Sequence, residues 1–171
     1  MQDDDPPPPA REPSPVIAYV GIGANLGNRR RAIESAIEAL AARERIDVLR
    51  SSSLYRTESI GAGGPDYLNA VVELRTALEP LNLLQVLQAI EAAHGRERSY
   101  PNAPRTLDLD LLLYGAHELA LPTLRVPHPR LHERAFVLRP LAELSPDLVV
   151  PRRGRAIDLL ASVTDQRIDR L

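Results

Sequence analysis

The chain has 171 residues, a length that fits one domain with its own hydrophobic core. Its 44% hydrophobic and 26% charged residues are ordinary for a globular protein, and a net charge of −2 gives no sign of a nucleic-acid partner. It contains neither cysteine nor lysine, which excludes disulfides, thiolate metal sites, Walker-type phosphate loops and Schiff-base chemistry.

The first 15 residues are rich in proline and acidic side chains and almost lack apolar ones. This composition predicts a disordered tail before a single domain at residues 16–171. An acidic, proline-rich start is the opposite of a secretory signal, and no run of about 18 apolar residues indicates a membrane helix. We therefore expect a cytoplasmic protein.

Order is predicted to begin with a buried strand, an apolar run from Val16 to Gly23 that ends in glycines. Apolar residues at helical spacing then predict an amphipathic helix from Arg29 to about Arg43. Either Asn25 or Asn28 could cap this helix, since asparagine side chains accept hydrogen bonds from the first backbone N–H groups of a helix.

A second strand is predicted from Ile46 through Tyr55. The glycine-rich segment 57–66 that follows it is typical of a mobile loop. Alternating apolar residues predict a third strand from Tyr67 to Thr76. A helix then opens at Glu79-Pro80 and continues to His94, because leucine and isoleucine recur at helical spacing.

The later elements are a strand from Thr106 to Tyr114, a short strand at Leu119–Leu121, a helix near Leu138–Leu144 and a weakly patterned helix at Ile157–Val163. The order β-α-β-β-α-β predicts an α+β, ferredoxin-like fold, in which an antiparallel sheet has its main helices packed on one face.

Two carboxylates alternate with leucines in the strand after Arg105. Residues two apart in a strand point the same way, so Asp108 and Asp110 share one face while Leu107, Leu109 and Leu111 pack on the core. Two neighbouring carboxylates repel each other unless a cation lies between them, and Mg²⁺ suits a few carboxylates completed by water and phosphate. Two solvated aspartates are the alternative, but Arg105 and the arginine-rich segment 96–98 favour a metal–polyphosphate site.

Other polar and aromatic residues could bind ligands. The segment Gly21–Gly27 resembles a dinucleotide fingerprint, but Leu26 stands where the third glycine belongs, and we interpret it as a tight strand-to-helix turn. His128 lies between two prolines and could donate to a phosphate or cap a turn. Tyr67, Asn69 and Phe136 are candidates for gripping a flat heterocycle, although Phe136 could simply pack in the core.

Several separated motifs occur together in this chain, and Pro104–Asp110 is the most specific of them. In chain order the motifs are Gly21–Gly27, Ser53–Thr57, Pro65–Ala70, Gly95–Arg98, Pro104–Asp110 and Val126–His128. On these motifs the chain resembles the hydroxymethyldihydropterin pyrophosphokinase family of folate biosynthesis, from about Ile17 to Pro151.

The resemblance implies an ATP-dependent diphosphotransferase that moves the β,γ-diphosphate of ATP to the hydroxymethyl group of the dihydropterin and releases AMP. It implies two Mg²⁺ ions bound by Asp108 and Asp110, and catalytic roles for these two residues with Arg98 and Arg105. The implied ATP-binding residues are Gln88, Glu91, Arg96, Arg98, Arg105, Leu111, His128 and Arg134. The implied pterin-binding residues are Thr57, Tyr67, Asn69, Asp108 and Phe136.

The family also implies a monomer whose partners are its two substrates, with no nucleic acid or membrane. Many members have a tryptophan in the loop before Pro104; this chain has none, and Asn102 lies near that place. Two other functions are open from the residues alone. One is a different Mg²⁺-dependent phosphate-transfer enzyme or hydrolase that uses the same aspartates, and the other is a non-catalytic ferredoxin-like binding module.

Overall fold

A computed structural model of the chain describes residues 13–59, 64–94 and 107–171. Within these residues the strands are β1 Val16–Ala24, β2 Ile46–Ser51, β3 Tyr55–Thr57, β4 Tyr67–Thr76, β5 Asp108–Tyr114, β6 Leu119–Ala120, β7 Arg125–Val126, β8 Val149–Val150, β9 Gly154–Arg155 and β10 Asp169–Arg170. The α-helices are α1 Arg29–Ala41, α2 Pro80–Ala93, α3 Ala135–Leu144 and α4 Ala156–Leu159, with 3₁₀ turns at Leu131–Glu133 and Leu160–Ser162.

Six strands form one antiparallel sheet in the order β10-β3-β4-β1-β5, with β2 paired to β4 beside β3. The long strand β4 therefore carries β3 along its first half and β2 along its second half. The remaining strands form two small hairpins, β6-β7 and β8-β9. The antiparallel sheet with its helices confirms the predicted α+β class.

The two faces of the sheet are covered differently. Helices α1 and α2 bury their apolar sides, including Ile33, Leu40 and Leu87, in a core with one face of the sheet. Helix α3 packs on the other face through residues such as Leu138 and Leu141. Within the described ranges, no helix is long and apolar enough to cross a bilayer.

Several predicted boundaries are confirmed. Strand β4 begins and ends at the predicted residues, and α2 lies between the predicted ends, flanked by Glu79 and His94. Helix α1 begins at Arg29 as predicted and ends at Ala41. Of the two candidate caps, Asn28 is the one used, because its side chain accepts a hydrogen bond from the Arg31 N–H at 3.1 Å. The tail at residues 1–12, the loop residues 60–63 and the segment 95–106 lie outside the described residues.

The prediction of one strand from Ile46 through Tyr55 is wrong, because β2 ends at Ser51 and β3 begins at Tyr55. Between them, the Ser52 hydroxyl accepts a hydrogen bond from the Val71 N–H at 2.9 Å, and the Ser53 N–H donates to the Glu143 carboxylate at 2.8 Å. The Ser52 N–H still donates to the Val71 carbonyl at 2.9 Å, but the return hydrogen bond from Val71 goes to the Ser52 side chain, and the Ser53 N–H turns to Glu143.

Helix α3 also begins three residues before the predicted Leu138. Its first backbone N–H, that of Ala135, donates to the side-chain oxygen of Gln166 at 2.8 Å. A cap from a residue so distant in sequence leaves no local signal at the start of the helix. The earlier start places Phe136 in the first turn of α3. At the C-terminus, the predicted helix 157–163 is instead the short α4 followed by a 3₁₀ turn.

A buried carboxylate ties together three strands on the α3 side of the sheet. Glu73 of β4 accepts a 2.6 Å hydrogen bond from the Tyr19 hydroxyl of β1 and two from the Arg50 guanidinium of β2, at 3.1 and 2.8 Å. The Arg50 hydrogen bonds lower the pKa of Glu73, while burial and the bond to Glu73 raise the pKa of Tyr19 to about 12. Both partners therefore hold Glu73 in its charged form.

We expect Glu73→Ala to lower the free energy of unfolding by about 2–3 kcal/mol, since it leaves a buried tyrosine hydroxyl without its acceptor. Urea denaturation measures this. The matched control is Asp47→Ala, which removes the exposed 3.1 Å ion pair between Asp47 and Arg75. An exposed pair contributes below about 1 kcal/mol. Equal losses in the two variants would contradict the assigned role of Glu73.

The same carboxylate predicts a pH dependence. The folded pKa of Glu73 lies below its ordinary value of 4.5, so its stabilisation is fully present above pH 4.5 and is lost as the pH falls through the folded pKa. The stability difference between the wild-type chain and Glu73→Ala should therefore shrink in acid. Denaturation curves from pH 7 down to pH 3 test this, and a constant difference would show that the carboxylate charge is not involved.

Candidate active site

The pairing of β1 with its two neighbours brings the predicted site residues together. Gly23 is paired with Asn69 of β4 on one side and with Asp108 of β5 on the other. Two residues earlier in β1, Gly21 is paired with Asp110 of β5. Paired residues of antiparallel strands point to the same face. The two aspartates and Asn69 therefore share the sheet face on which α3 packs.

The leucines that alternate with the aspartates point the other way. Leu107, Leu109 and Leu111 are buried in the core formed with α1 and α2. This confirms the predicted alternation, with leucines inside and carboxylates on the opposite face. The two aspartates are only partly buried and reach an open cavity on that face.

This cavity has a volume of about 290 Å³, and we call it the main cavity because it contains most of the predicted site residues that the structure describes. All five residues that the resemblance implies for pterin binding line it, namely Thr57, Tyr67, Asn69, Asp108 and Phe136. Its other lining residues include Gly21, Gly23, Asp110, Leu112 and Arg134. The chain thus brings an amide, aromatic rings and two carboxylates to one cavity, a combination suited to a flat polar heterocycle.

Within the main cavity, Asn69 is held in a defined orientation. Its side chain is buried, and its Nδ2 donates a 3.0 Å hydrogen bond to the hydroxyl oxygen of Thr57 on β3. Phe136 enters from the first turn of α3, packs against the core beneath that helix and also lines the cavity. Phe136 therefore packs in the core, and its position in the cavity wall keeps the ligand-binding interpretation open. The Arg134 guanidinium lies 5.4 Å from the centre of the Phe136 ring, within cation–π range.

A second cavity of about 300 Å³ lies on the other side of Asp110. It contains Leu111 and His128 from the predicted nucleotide set, with apolar walls that include Leu84 and Leu124. Asp110 lines both cavities. Arg125 also lines the second cavity and was not predicted. Its only sequence signal was its position before the Val126–His128 motif.

His128 is oriented by its neighbours. Its backbone N–H donates to the Leu112 carbonyl at 2.9 Å, and its ring Nδ1 accepts a 3.1 Å hydrogen bond from the Arg130 N–H. Burial lowers the pKa of His128, and the nearby cations Arg134 and Arg130 lower it further. The ring is therefore neutral at pH 7 and carries its proton on Nε2, which leaves an N–H donor for an anionic ligand.

Arg134 was predicted to support the nucleotide, but the structure places it in the wall of the main cavity. Burial and the neighbouring Arg130 lower the pKa of Arg134, whereas the charges of Asp110 and Asp108 raise it. A guanidinium remains charged despite such shifts. Arg134 thus brings a partly desolvated positive charge to the same region as the two carboxylates.

The other predicted nucleotide residues lie elsewhere. Glu91 of α2 is buried, and its carboxylate accepts a 2.7 Å hydrogen bond from the Leu109 N–H, which ties α2 to β5 behind the aspartates. Gln88 is exposed on α2, and neither residue lines the main or the second cavity. The predicted phosphate ligands Arg96, Arg98 and Arg105 lie outside the described residues.

The predicted strand through Gly23 is confirmed, because Gly21 and Gly23 lie inside β1, where they line the main cavity. The strand-to-helix turn is therefore shorter than the segment Gly21–Gly27. The turn itself contains Gly27, whose φ of +62° is a conformation that glycine adopts readily. Gly21 and Gly23 were not among the predicted binding residues, because a residue without a side chain carries no chemical signal for a ligand.

The aspartates fit the predicted metal by their donor chemistry. Two carboxylates supply oxygen ligands, which Mg²⁺ prefers, and their partial exposure leaves room for the water and phosphate oxygens that complete its coordination. Asp108 and Asp110 are the residues that would hold this ion.

Comparison with known proteins decides the family. A family profile described as 7,8-dihydro-6-hydroxymethylpterin-pyrophosphokinase (HPPK) matches residues 19–146. The chain belongs to the HPPK family. Among its relatives is the 2-amino-4-hydroxy-6-hydroxymethyldihydropteridine pyrophosphokinase of Synechocystis sp., 47% identical over 86% of this chain and 76% of that protein. The enzyme of the same name from Pseudomonas aeruginosa is 44% identical over 90% of this chain and 95% of that protein.

Solved structures show the same fold. The HPPK-DHPS protein of Plasmodium falciparum with pteroate superposes on this HPPK family chain with a TM-score of 0.71 at 14% identity. The match covers 91% of this chain and 44% of that one, so the chain spans less than half of the larger protein. At this identity the likeness establishes the fold only.

The environment of His128 leads to a testable prediction. Burial and two cations lower its pKa, so NMR titration of its ring should give a pKa below 6.5. Arg134→Ala should raise this pKa, because it removes a positive charge and admits water. Arg43→Ala, in the exposed turn after α1, is the matched control and should leave it unchanged. A wild-type pKa of 6.5 or above would contradict the assigned environment.

Proposed function

We propose that this chain transfers the β,γ-diphosphate of ATP to the hydroxymethyl group of 6-hydroxymethyl-7,8-dihydropterin, releasing AMP, as a step of tetrahydrofolate biosynthesis. The observation that carries the proposal is the position of Asp110, which lines both the main cavity and the second cavity. Membership of the HPPK family and the activity for which its relatives are named support it.

The pterin is assigned to the main cavity. Asn69 offers an amide oxygen and an N–H, and Thr57 holds this amide in place. Tyr67 and Phe136 supply aromatic surface for a flat ring. A pterin bound there would direct its hydroxymethyl group toward Asp108 and Asp110, which lie in the same cavity wall.

ATP is assigned to the second cavity, where the apolar walls suit the base and Leu111 is one of them. His128 would donate its Nε2–H to a phosphate oxygen. Arg96, Arg98 and Arg105 remain the proposed phosphate ligands, and Gln88 and Glu91 the proposed support from α2. Glu91 would act through β5, to which it is hydrogen bonded.

The reaction requires that the pterin hydroxyl and the ATP phosphates meet while water is excluded. Binding in two cavities that share Asp110 brings the two substrates to one place. Arg134 would balance charge beside the carboxylates during transfer. Mg²⁺ bound by Asp108 and Asp110 would supply neutralisation and orientation of the phosphate oxygens.

Further features belong to the same proposal. We propose two Mg²⁺ ions, a monomeric state, a cytoplasmic location and a single domain at residues 16–171. We also propose that the sheet core is ferredoxin-like, because its strand order β3-β4-β1-β5, with two helices on one face, follows that pattern.

A coupled assay of AMP release, with and without hydroxymethyldihydropterin, tests the reaction. We expect AMP to form only when both ATP and the pterin are present, because transfer requires the acceptor hydroxyl. Release of phosphate from ATP without the pterin would instead support a hydrolase. Absence of heat on titration of Mg²⁺ and a non-hydrolysable ATP analogue would support a non-catalytic module.

We expect Asp110→Ala to lower turnover by about 100-fold or more, since it removes a carboxylate from the meeting point of the two cavities. Its fold should persist, because the substitution also removes a like-charged neighbour of Asp108. Asp47→Ala, an exposed aspartate of β2, is the control and should retain activity. Circular dichroism that shows an unfolded Asp110→Ala variant would make this aspartate structural and overturn its catalytic role.

A further inference from the structure

Two glycines lie inside the central strand β1, although glycine in a strand interior is less stable than alanine. Gly21 and Gly23 are paired with residues of both neighbouring strands. Neither has a φ in the left-handed region, so the backbone does not require glycine at these positions. The reason for glycine must then be the space that a side chain would occupy.

The two positions differ in what an added Cβ would meet. At Gly23 the Cβ would lie 3.2 Å from the side-chain oxygen of Asn69, a tight contact that requires this oxygen to shift by a few tenths of an ångström. At Gly21 it would lie 3.4 Å from a methyl group of Leu112, an ordinary van der Waals distance. Only the Gly23 position therefore bears on a polar group of the site.

Asn69 has little freedom to give way. Its side chain is 6% exposed, and its Nδ2 is held by the Thr57 hydroxyl at 3.0 Å. If the oxygen moved away from a new methyl group, the amide would turn and this hydrogen bond would lengthen or break. The orientation of the Asn69 amide thus depends on the absence of a side chain at residue 23.

We infer that Gly23 is a positioning and specificity-determining residue for the heterocyclic substrate, and that it acts through Asn69. The missing side chain lets the Asn69 oxygen lie over the strand and remain an acceptor for ring N–H groups. It also means that no side chain rises from β1 between Asn69 and Asp108, so that a planar ring can lie across the strand there. This inference rests on the proposed pterin site.

The test compares Gly23→Ala with its matched strand control Gly21→Ala by steady-state kinetics and thermal melting. Gly23→Ala should raise the KM for the pterin by about tenfold or more, equivalent to the loss of one good hydrogen bond. Its KM for ATP should change by less than about twofold, and the variant should remain folded with a cooperative melting transition. Gly21→Ala should raise the pterin KM by clearly less.

Equal pterin KM values in the two glycine variants would overturn the inference, since the smaller volume of the main cavity would then explain the rise in KM in both. A Gly23→Ala variant that is unfolded, or one with an unchanged pterin KM, would overturn it as well. A fall in kcat without a rise in the pterin KM would also contradict a role in positioning the ring.

A double-mutant cycle with Asn69→Ala tests whether Gly23 acts through Asn69. In the wild-type background Asn69→Ala should raise the pterin KM strongly, and in the Gly23→Ala background it should add little. Additive effects would overturn the inference while leaving the pterin site intact. If Asn69→Ala leaves the pterin KM of the wild-type chain unchanged, the pterin assignment itself fails, and the inference fails with it.

Discussion

The register of β1 with β4 and β5 is the constraint on which the rest of the site depends. Side chains in a strand alternate between faces, so a slip of one residue in β5 would bury Asp108 and Asp110 and expose the leucines between them. The burial of Leu109 and Leu111 beneath α1 and α2 opposes such a slip. The hydrophobic core on one face thus holds the carboxylates on the other.

On that other face α3 packs beside an open cavity. The first turn of α3 carries Phe136 into the main cavity, beside Arg134. Near its end, the Glu143 carboxylate accepts 2.6 and 2.8 Å hydrogen bonds from Tyr55 and Ser53, which tie α3 to the region of β3. Helix α3 therefore supplies Phe136 to the cavity and also anchors β3, the strand that carries the lining residue Thr57. Because the chain has no lysine, the proposed phosphate site would rely on arginine, on histidine and on a metal ion bound by the two carboxylates.

Local periodicity determined much of this protein. The alternation of Asp108 and Asp110 with leucines was enough to predict a strand with two carboxylates on one face, and the structure confirms it. The ends of β4 followed from the alternation of apolar residues, and the extent of α2 followed from its helical spacing and from Pro80 at its start. These signals lie within a few residues of one another, and a strand or helix responds directly to them. The motifs likewise led to the family that the comparisons establish.

Tertiary structure decided the features whose partners are distant in sequence. The break between β2 and β3 depends on Glu143, 90 residues from its partner Ser53, and the start of α3 depends on Gln166, 31 residues from Ala135. The need for glycine at residue 23 is explained only by the pairing of β1 with β4, which places the Asn69 side chain against it. The sequence alone determined which residue types were available and which face each would take. Only the folded sheet decided which of them meet, because those contacts join segments that no local pattern relates.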